Sequence, residues 1–152
     1  MNLLISYQKT LTFPHDLETT FCFLADIPLT STFFPKLEEL IDLGRNCYQW
    51  DLQPQGPAAY AVQTIYACRY RFKPNSQIAW EPIRDIGNSF FSGSWQLSPL
   101  ANKCHANFNL KGELSLPVPA FAEVVAAPLI RSLFNSLLND YLENLQSGLA
   151  KV

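Results

Sequence analysis

Charge is scarce in this chain of 152 residues: Asp, Glu, Lys and Arg make up 16% of it, against an ordinary share of roughly 25%. No run of one sign relieves the shortage. The net charge is −2 and the pI about 5.6. A nucleic-acid partner therefore has no electrostatic footing. No polybasic stretch is present to hold the chain on an anionic membrane. Histidine is equally thin, with two residues, His15 and His105. One precedes a helix cap and the other falls on the polar face of a strand, so both read as solvated surface. The four cysteines, Cys22, Cys47, Cys68 and Cys104, form no C-x-x-C pair. Each lies in an apolar stretch, which suits buried reduced thiols better than disulfides or zinc ligands. No metal and no cofactor is implied.

The catalytic motifs are missing too. There is no G-x-S-x-G elbow, no glycine-rich phosphate loop and no H-E-x-x-H. Glu38 and Glu39 point to opposite faces of a strand and cannot easily cooperate. Asp140 and Glu143 lie together on the polar side of a helix, where a solvated face explains them. The opening Met1-Asn2-Leu3-Leu4-Ile5-Ser6 is too short and too uncharged for a secretory signal. No stretch approaches the ~18 apolar residues of a membrane span. A cytoplasmic protein without stable membrane insertion is expected, with transient membrane contact left open.

What the chain has is apolar and aromatic surface: 48% hydrophobic residues, 13% aromatics and eleven Phe. Its end is the most informative part. From about Ala120 to Leu149, apolar residues recur at helical spacing. Phe121, Val125, Leu129, Leu133 and Leu137 form one row, and Val124, Ile130, Phe134, Leu138, Tyr141, Leu142 and Leu145 lie beside it. Pro128 falls inside and predicts a bend. Before this helix the pattern is period 2. Strands are predicted at Leu3–Phe13, Leu37–Leu43, Cys47–Leu52, Ala58–Phe72, Gln77–Ile83, Ser89–Leu97 and Lys103–Leu116. The short gaps are rich in Gly, Pro, Asn and Ser, as in hairpins. Lys9 interrupts the apolar face of the first strand, marking a bulge, a strand end or a cation within a cavity. Between the first two strands lie two short helices. Asp16 caps the first and Pro28 breaks it; Thr30 to Leu37 reads as a second short helix or turn, ending near Pro35. The order is β-α-α, six further strands, then α. No linker or repeat divides it, so residues 1–152 read as one α+β domain with an antiparallel sheet closed by one long helix.

That helix carries more apolar surface than a thin core requires. The strand faces add Tyr60, Val62, Thr64, Tyr66, Cys68, Tyr70 and Phe72 on one row. Phe91, Gly93, Trp95 and Leu97 lie on another, and Cys104, Ala106, Phe108, Leu110, Gly112 and Leu114 on a third. Tyrosines inside an apolar space suit a ligand pocket, and glycines at 93 and 112 permit sharp curvature. An ordinary aromatic core is the alternative.

The segment Phe90-Phe91-Ser92-Gly93-Ser94-Trp95-Gln96-Leu97-Ser98-Pro99-Leu100 resembles the G-x-W-x-φ-x-P-L stretch of the polyketide cyclase/coenzyme-Q-binding group. Phe21, Leu24, Asp26 and Phe34-Pro35 are similar to that group's first helix and following turn. The chain thus resembles the START/birch-pollen-allergen superfamily (SRPBCC), the helix-grip fold. The resemblance implies a curved sheet wrapped around the C-terminal helix and an apolar cavity between them. Its implied roles are binding of a lipid or quinone, polyketide cyclisation, or protein interaction. Inward polar candidates are the tyrosines, Thr64, Lys9 and Arg69, with no His–carboxylate pair. A hydrophobic small molecule, bound rather than transformed, is therefore the expected partner. The expected ligand-binding residues are Tyr66, Phe91, Trp95, Phe108, Phe121, Val125 and Leu129. The short helices near Pro28–Pro35 are expected to gate the open end.

Overall fold

In the computed structural model, which describes residues 1–55, 61 and 63–151, seven strands form one antiparallel sheet. They are β1 (Asn2–Phe13), β2 (Leu37–Gly44), β3 (Cys47–Leu52), β4 (Ile65–Lys73), β5 (Gln77–Gly87), β6 (Ser89–Leu100) and β7 (Lys103–Ser115). The helices are α1 (Leu17–Ala25), α2 (Ile27–Ser31) and α3 (Glu123–Ala150), the last reached through a 3-10 turn at Ala120–Ala122. The sheet order β1-β7-β6-β5-β4-β3-β2 is a meander with β1 added beside the final strand. The expected α+β architecture is therefore present: a curved antiparallel sheet and one long C-terminal helix.

Local chemistry sets the element ends. Asp16 caps α1 by accepting from the Thr19 N–H at 2.8 Å. Asp26 then serves twice. It ends α1, and its carboxylate caps α2 by accepting from the Leu29 N–H at 3.2 Å. Pro28 lies in the first turn of α2, where its missing N–H costs nothing. It starts the second helix instead of breaking the first; α2 ends at Ser31, and the rest of the segment expected as helix or turn is turn and bend as far as Lys36. The β1–β7 ladder runs from Asn2 to Phe13 without a register shift. Neither a bulge nor a strand end therefore accounts for Lys9, which sits half-buried between Tyr7 and Leu11.

The long predicted strand Ala58–Phe72 begins only at Ile65, because β3 ends at Leu52 and pairs with β4 no earlier than Asp51 opposite Ile65. Residues 56–60 and 62, including Tyr60 and Val62, lie outside the described residues. At its far end β5 extends to Gly87, past the predicted turn. Here the β4–β5 register jumps from Cys68 opposite Pro82 to Tyr66 opposite Gly87. Pro82 can give no ladder hydrogen bond. Asn88 stitches the interruption: its side chain accepts from the Ile65 N–H at 3.0 Å and donates to the Gln63 carbonyl at 2.7 Å. Its backbone carbonyl accepts from the Ser115 N–H at 3.0 Å.

Helix α3 runs through Pro128 unbroken. Its buried residues are Ile130, Phe134, Leu137, Leu138, Tyr141, Leu142, Leu145 and Leu149. Phe121, Val124 and Val125 are instead 84%, 84% and 77% exposed, and Leu129 is exposed too. A strict i+4 row advances by about 40° per step on a helix of 3.6 residues per turn, so about 160° accumulates from Phe121 to Leu137. The predicted row therefore begins in solvent and ends in the core. The excess apolar surface of the helix lies outward, on its first turns. An 18-residue window of Ala120–Ala150 has a mean hydropathy of 1.4, enough by length and composition to cross a bilayer. This corrects the expectation that no stretch qualifies. The second half of the same helix packs its buried face into the core of the fold.

Candidate functional site

Between the sheet and α3 lies a cavity of about 50 Å³. The short helices supply Leu24, Ile27 and Thr30, and the turn after them Phe34; the sheet supplies Trp50, Tyr66, Tyr70, Ile78, Trp80, Trp95, Phe108 and Leu110; α3 supplies Phe134, Leu138 and Tyr141. All three tryptophans of the chain line it. The rings hold one another edge to face and stacked. Trp50 stacks on Tyr66 at 5.8 Å, Tyr66 meets Phe91 edge-on at 4.9 Å, and Phe91 stacks on Phe134 at 5.3 Å.

The polar atoms are few and alike. The Trp50 Nε1–H donates to the Tyr70 hydroxyl at 3.1 Å, which leaves the Tyr70 proton to be given elsewhere. Tyr66 and Tyr141 bring two further phenols, and Thr30 a hydroxyl that donates to the Asp26 carbonyl at 3.0 Å. Burial pushes all three phenols above their ordinary range; Cys68 adds to this at Tyr66 and Tyr70, and Thr30 offsets part of it at Tyr141. They therefore stay protonated as hydrogen-bond donors at any physiological pH. Behind them the Cys68 thiol donates to the Phe91 carbonyl at 3.5 Å, and burial pushes that thiol up to about 12. No Lys, Arg, His, Asp or Glu stands among the lining residues.

Of the expected ligand-binding residues, the structure brings Tyr66, Trp95 and Phe108 together around the cavity. Phe91 stands directly behind Tyr66 as buried core. Phe121, Val125 and Leu129 do not reach the cavity, for the helical-drift reason above. Arg69 is exposed, and Lys9 lies outside the lining; Thr64 is buried. Trp50, Tyr141 and Thr30 were not singled out from the sequence. Tyr141 could have been found by projecting α3 at 100° per residue rather than by following one row. Among the cysteines, Cys47, Cys68 and Cys104 are buried as expected, and Cys22 is exposed. No group of His, Cys, Asp and Glu among the described residues could hold a metal.

No family model matches the chain, and no curated protein matches it either. Solved structures do. A START superfamily protein from Mycobacterium smegmatis superposes with a TM-score of 0.71 at 17% identity, over 96% of this chain and 97% of that one. The Zhui aromatase/cyclase from Streptomyces sp. R1128 gives 0.69 at 14% identity, over 97% and 94%. The protein TTHA0849 from Thermus thermophilus gives 0.71 at 13% identity, over 97% and 98%. At such identities the likeness speaks for fold alone. Seven antiparallel strands closed on one long helix, superposing end to end on a START superfamily protein and an aromatase/cyclase, give this chain the helix-grip fold.

Proposed function

We propose that the chain binds a neutral, ring-containing small molecule bearing a carbonyl-type acceptor, such as a quinone, and does not transform it. One observation carries this reading: three protonated phenols, Tyr66, Tyr70 and Tyr141, share a chamber of aromatic and aliphatic side chains with no charged lining residue. Phenols donate, and a quinone or ketone oxygen accepts. Flat rings suit walls built of Trp50, Trp80, Trp95 and Phe108. A fatty-acid carboxylate would bury its charge with no cation to meet it, at a cost of several kcal/mol. Within the expectation of a lipid or quinone, the chamber favours the uncharged ring.

Cyclisation of a polyketide-like substrate needs a base as well as an acid. The lining offers phenols as acids and no base. The small volume favours a different second reading, an interaction domain whose cavity its own side chains fill. An apolar cavity that takes benzene measures about 150 Å³, three times the 50 Å³ present. A ligand must therefore displace side chains.

Fluorescence separates these readings, because every tryptophan lines the chamber. Titration with 2-methyl-1,4-naphthoquinone should quench tryptophan emission saturably, and decanoate should not compete. Tyr66→Phe and Tyr141→Phe should each weaken binding by about 1 kcal/mol, near fivefold. Linear poly-β-ketones should be recovered unaltered. Unsaturable quenching leaves the filled-core reading standing. Cyclised product that Tyr66→Phe slows a hundredfold, with binding nearly unchanged, would make the chain an enzyme.

A further inference from the structure

We infer that the ligand chamber has a second, aliphatic subsite under the first half of α3, and that Phe134 decides whether a ligand can use it. The inference rests on the reading just given and names the shape of the ligand: an acceptor-bearing ring with a saturated chain.

A second void, of about 20 Å³, lies beneath the same helix. Leu52, Leu114, Ile130, Leu133 and Leu137 form its apolar lining. Two polar side chains, Thr64 and Gln55, complete it. Gln55 and Leu133, both half-buried, form its rim. The two voids share one lining residue, Phe134. Its ring stacks on Phe91 at 5.3 Å with the planes 18° apart, so it stands as a partition between them.

The chemistry changes across that partition. On the deep side three phenols and three indoles stand among leucine and isoleucine side chains, and these rings and hydroxyls suit a flat ring with an acceptor. On the shallow side are leucine and isoleucine side chains, which suit methylenes. Neither void holds such a group as it stands, since 50 Å³ and 20 Å³ both fall short of a ring or a chain. When Phe134 leaves Phe91, the space of its own ring joins the two voids into one chamber. That chamber runs from the tyrosines to the rim at Leu133. The position of Phe134 thus limits ligand length, and the rim at Gln55 and Leu133 gives the chain a way out.

Two probes test the inference by tryptophan quenching: 2-methyl-1,4-naphthoquinone and its 2-nonyl homologue. The quantity read is the ratio of their affinities. Phe134→Ala, and Phe134→Leu as the variant gentler on folding, should shift that ratio at least tenfold toward the nonyl compound. Leu133→Phe, which narrows the rim, should shift it at least tenfold the other way. A ratio unchanged in all three variants, with the methyl compound still bound by the wild type, overturns the subsite and leaves the ring-binding reading intact. If the wild type binds neither probe, the ring-binding reading falls and takes the subsite with it.

Discussion

Gly112→Ala should unfold or nearly unfold the protein, with a loss of about 3 kcal/mol or more in urea titration. Gly112 sits in the second half of β7, opposite Ile5 on one side and Phe91 on the other. A Cβ there would stand 2.6 Å from the Phe91 ring and closer still to the Phe90 carbonyl. The ring is packed between Tyr66 and Phe134, and the carbonyl belongs to the β6 backbone. Neither can yield without separating strands. Gly93 is the same device one strand away, where an added Cβ would come within 2.6 Å of the Trp80 ring. Gly44 is the control, since a Cβ there meets nothing within 4 Å. Its φ of +81° is the only obstacle, so Gly44→Asn, which tolerates that backbone, should cost far less. Equal losses at Gly112 and Gly44 would mean that close packing of the sheet does not set the curvature.

Alkaline unfolding is the second large effect. Burial raises the Cys68 thiol from its ordinary 9.0 to about 12. A group whose folded pKa is raised holds its proton more tightly when folded. Its stabilisation is complete below the unfolded value and is lost as pH rises toward the folded one. For Cys68 that window opens at pH 9 and closes near pH 12, and the full shift amounts to about 4 kcal/mol. Cys104 is raised as well, and Tyr66, Tyr70 and Tyr141 join above pH 10 for the same reason. Urea unfolding at intervals from pH 7 to 11 should show a plateau to pH 9 and a steep fall beyond it. In Cys68→Ala the fall between pH 9 and 10 should be visibly shallower. Identical profiles for the two proteins would show that the thiol is hydrated in the folded state.

The sheet was legible because period-2 alternation, hairpin residues and prolines all agreed. β2, β3, β6 and β7 begin where their patterns begin. The glycines at 93 and 112 were legible as gaps in apolar rows, and the rings of Trp80 and Phe91 occupy those gaps. The errors came where a pattern lacked its partner. Of the Ala58–Phe72 alternation, the described ladder with β3 begins at Ile65, opposite Asp51. On α3, a row drawn at i+4 turns with the helix and passes from core to solvent. Three of the seven expected site residues were lost that way. The phenol cluster was half visible. Tyr66 and Tyr70 share a strand face, but Tyr141 joins them only through the packing of α3, and Thr30 only through the capping of α2 by Asp26. Those are tertiary facts that no local window contains.

On the reading proposed above, the chamber between sheet and helix takes an uncharged ring-bearing molecule. Native mass spectrometry of the protein purified from its own cells tests that most directly, because it weighs the occupant without choosing it in advance. A bound neutral species is expected, whose extract absorbs as a quinone or aromatic ketone and whose share falls in Tyr66→Phe. Protein that is always empty, or that carries a fatty-acid anion unaffected by Tyr66→Phe, would contradict it.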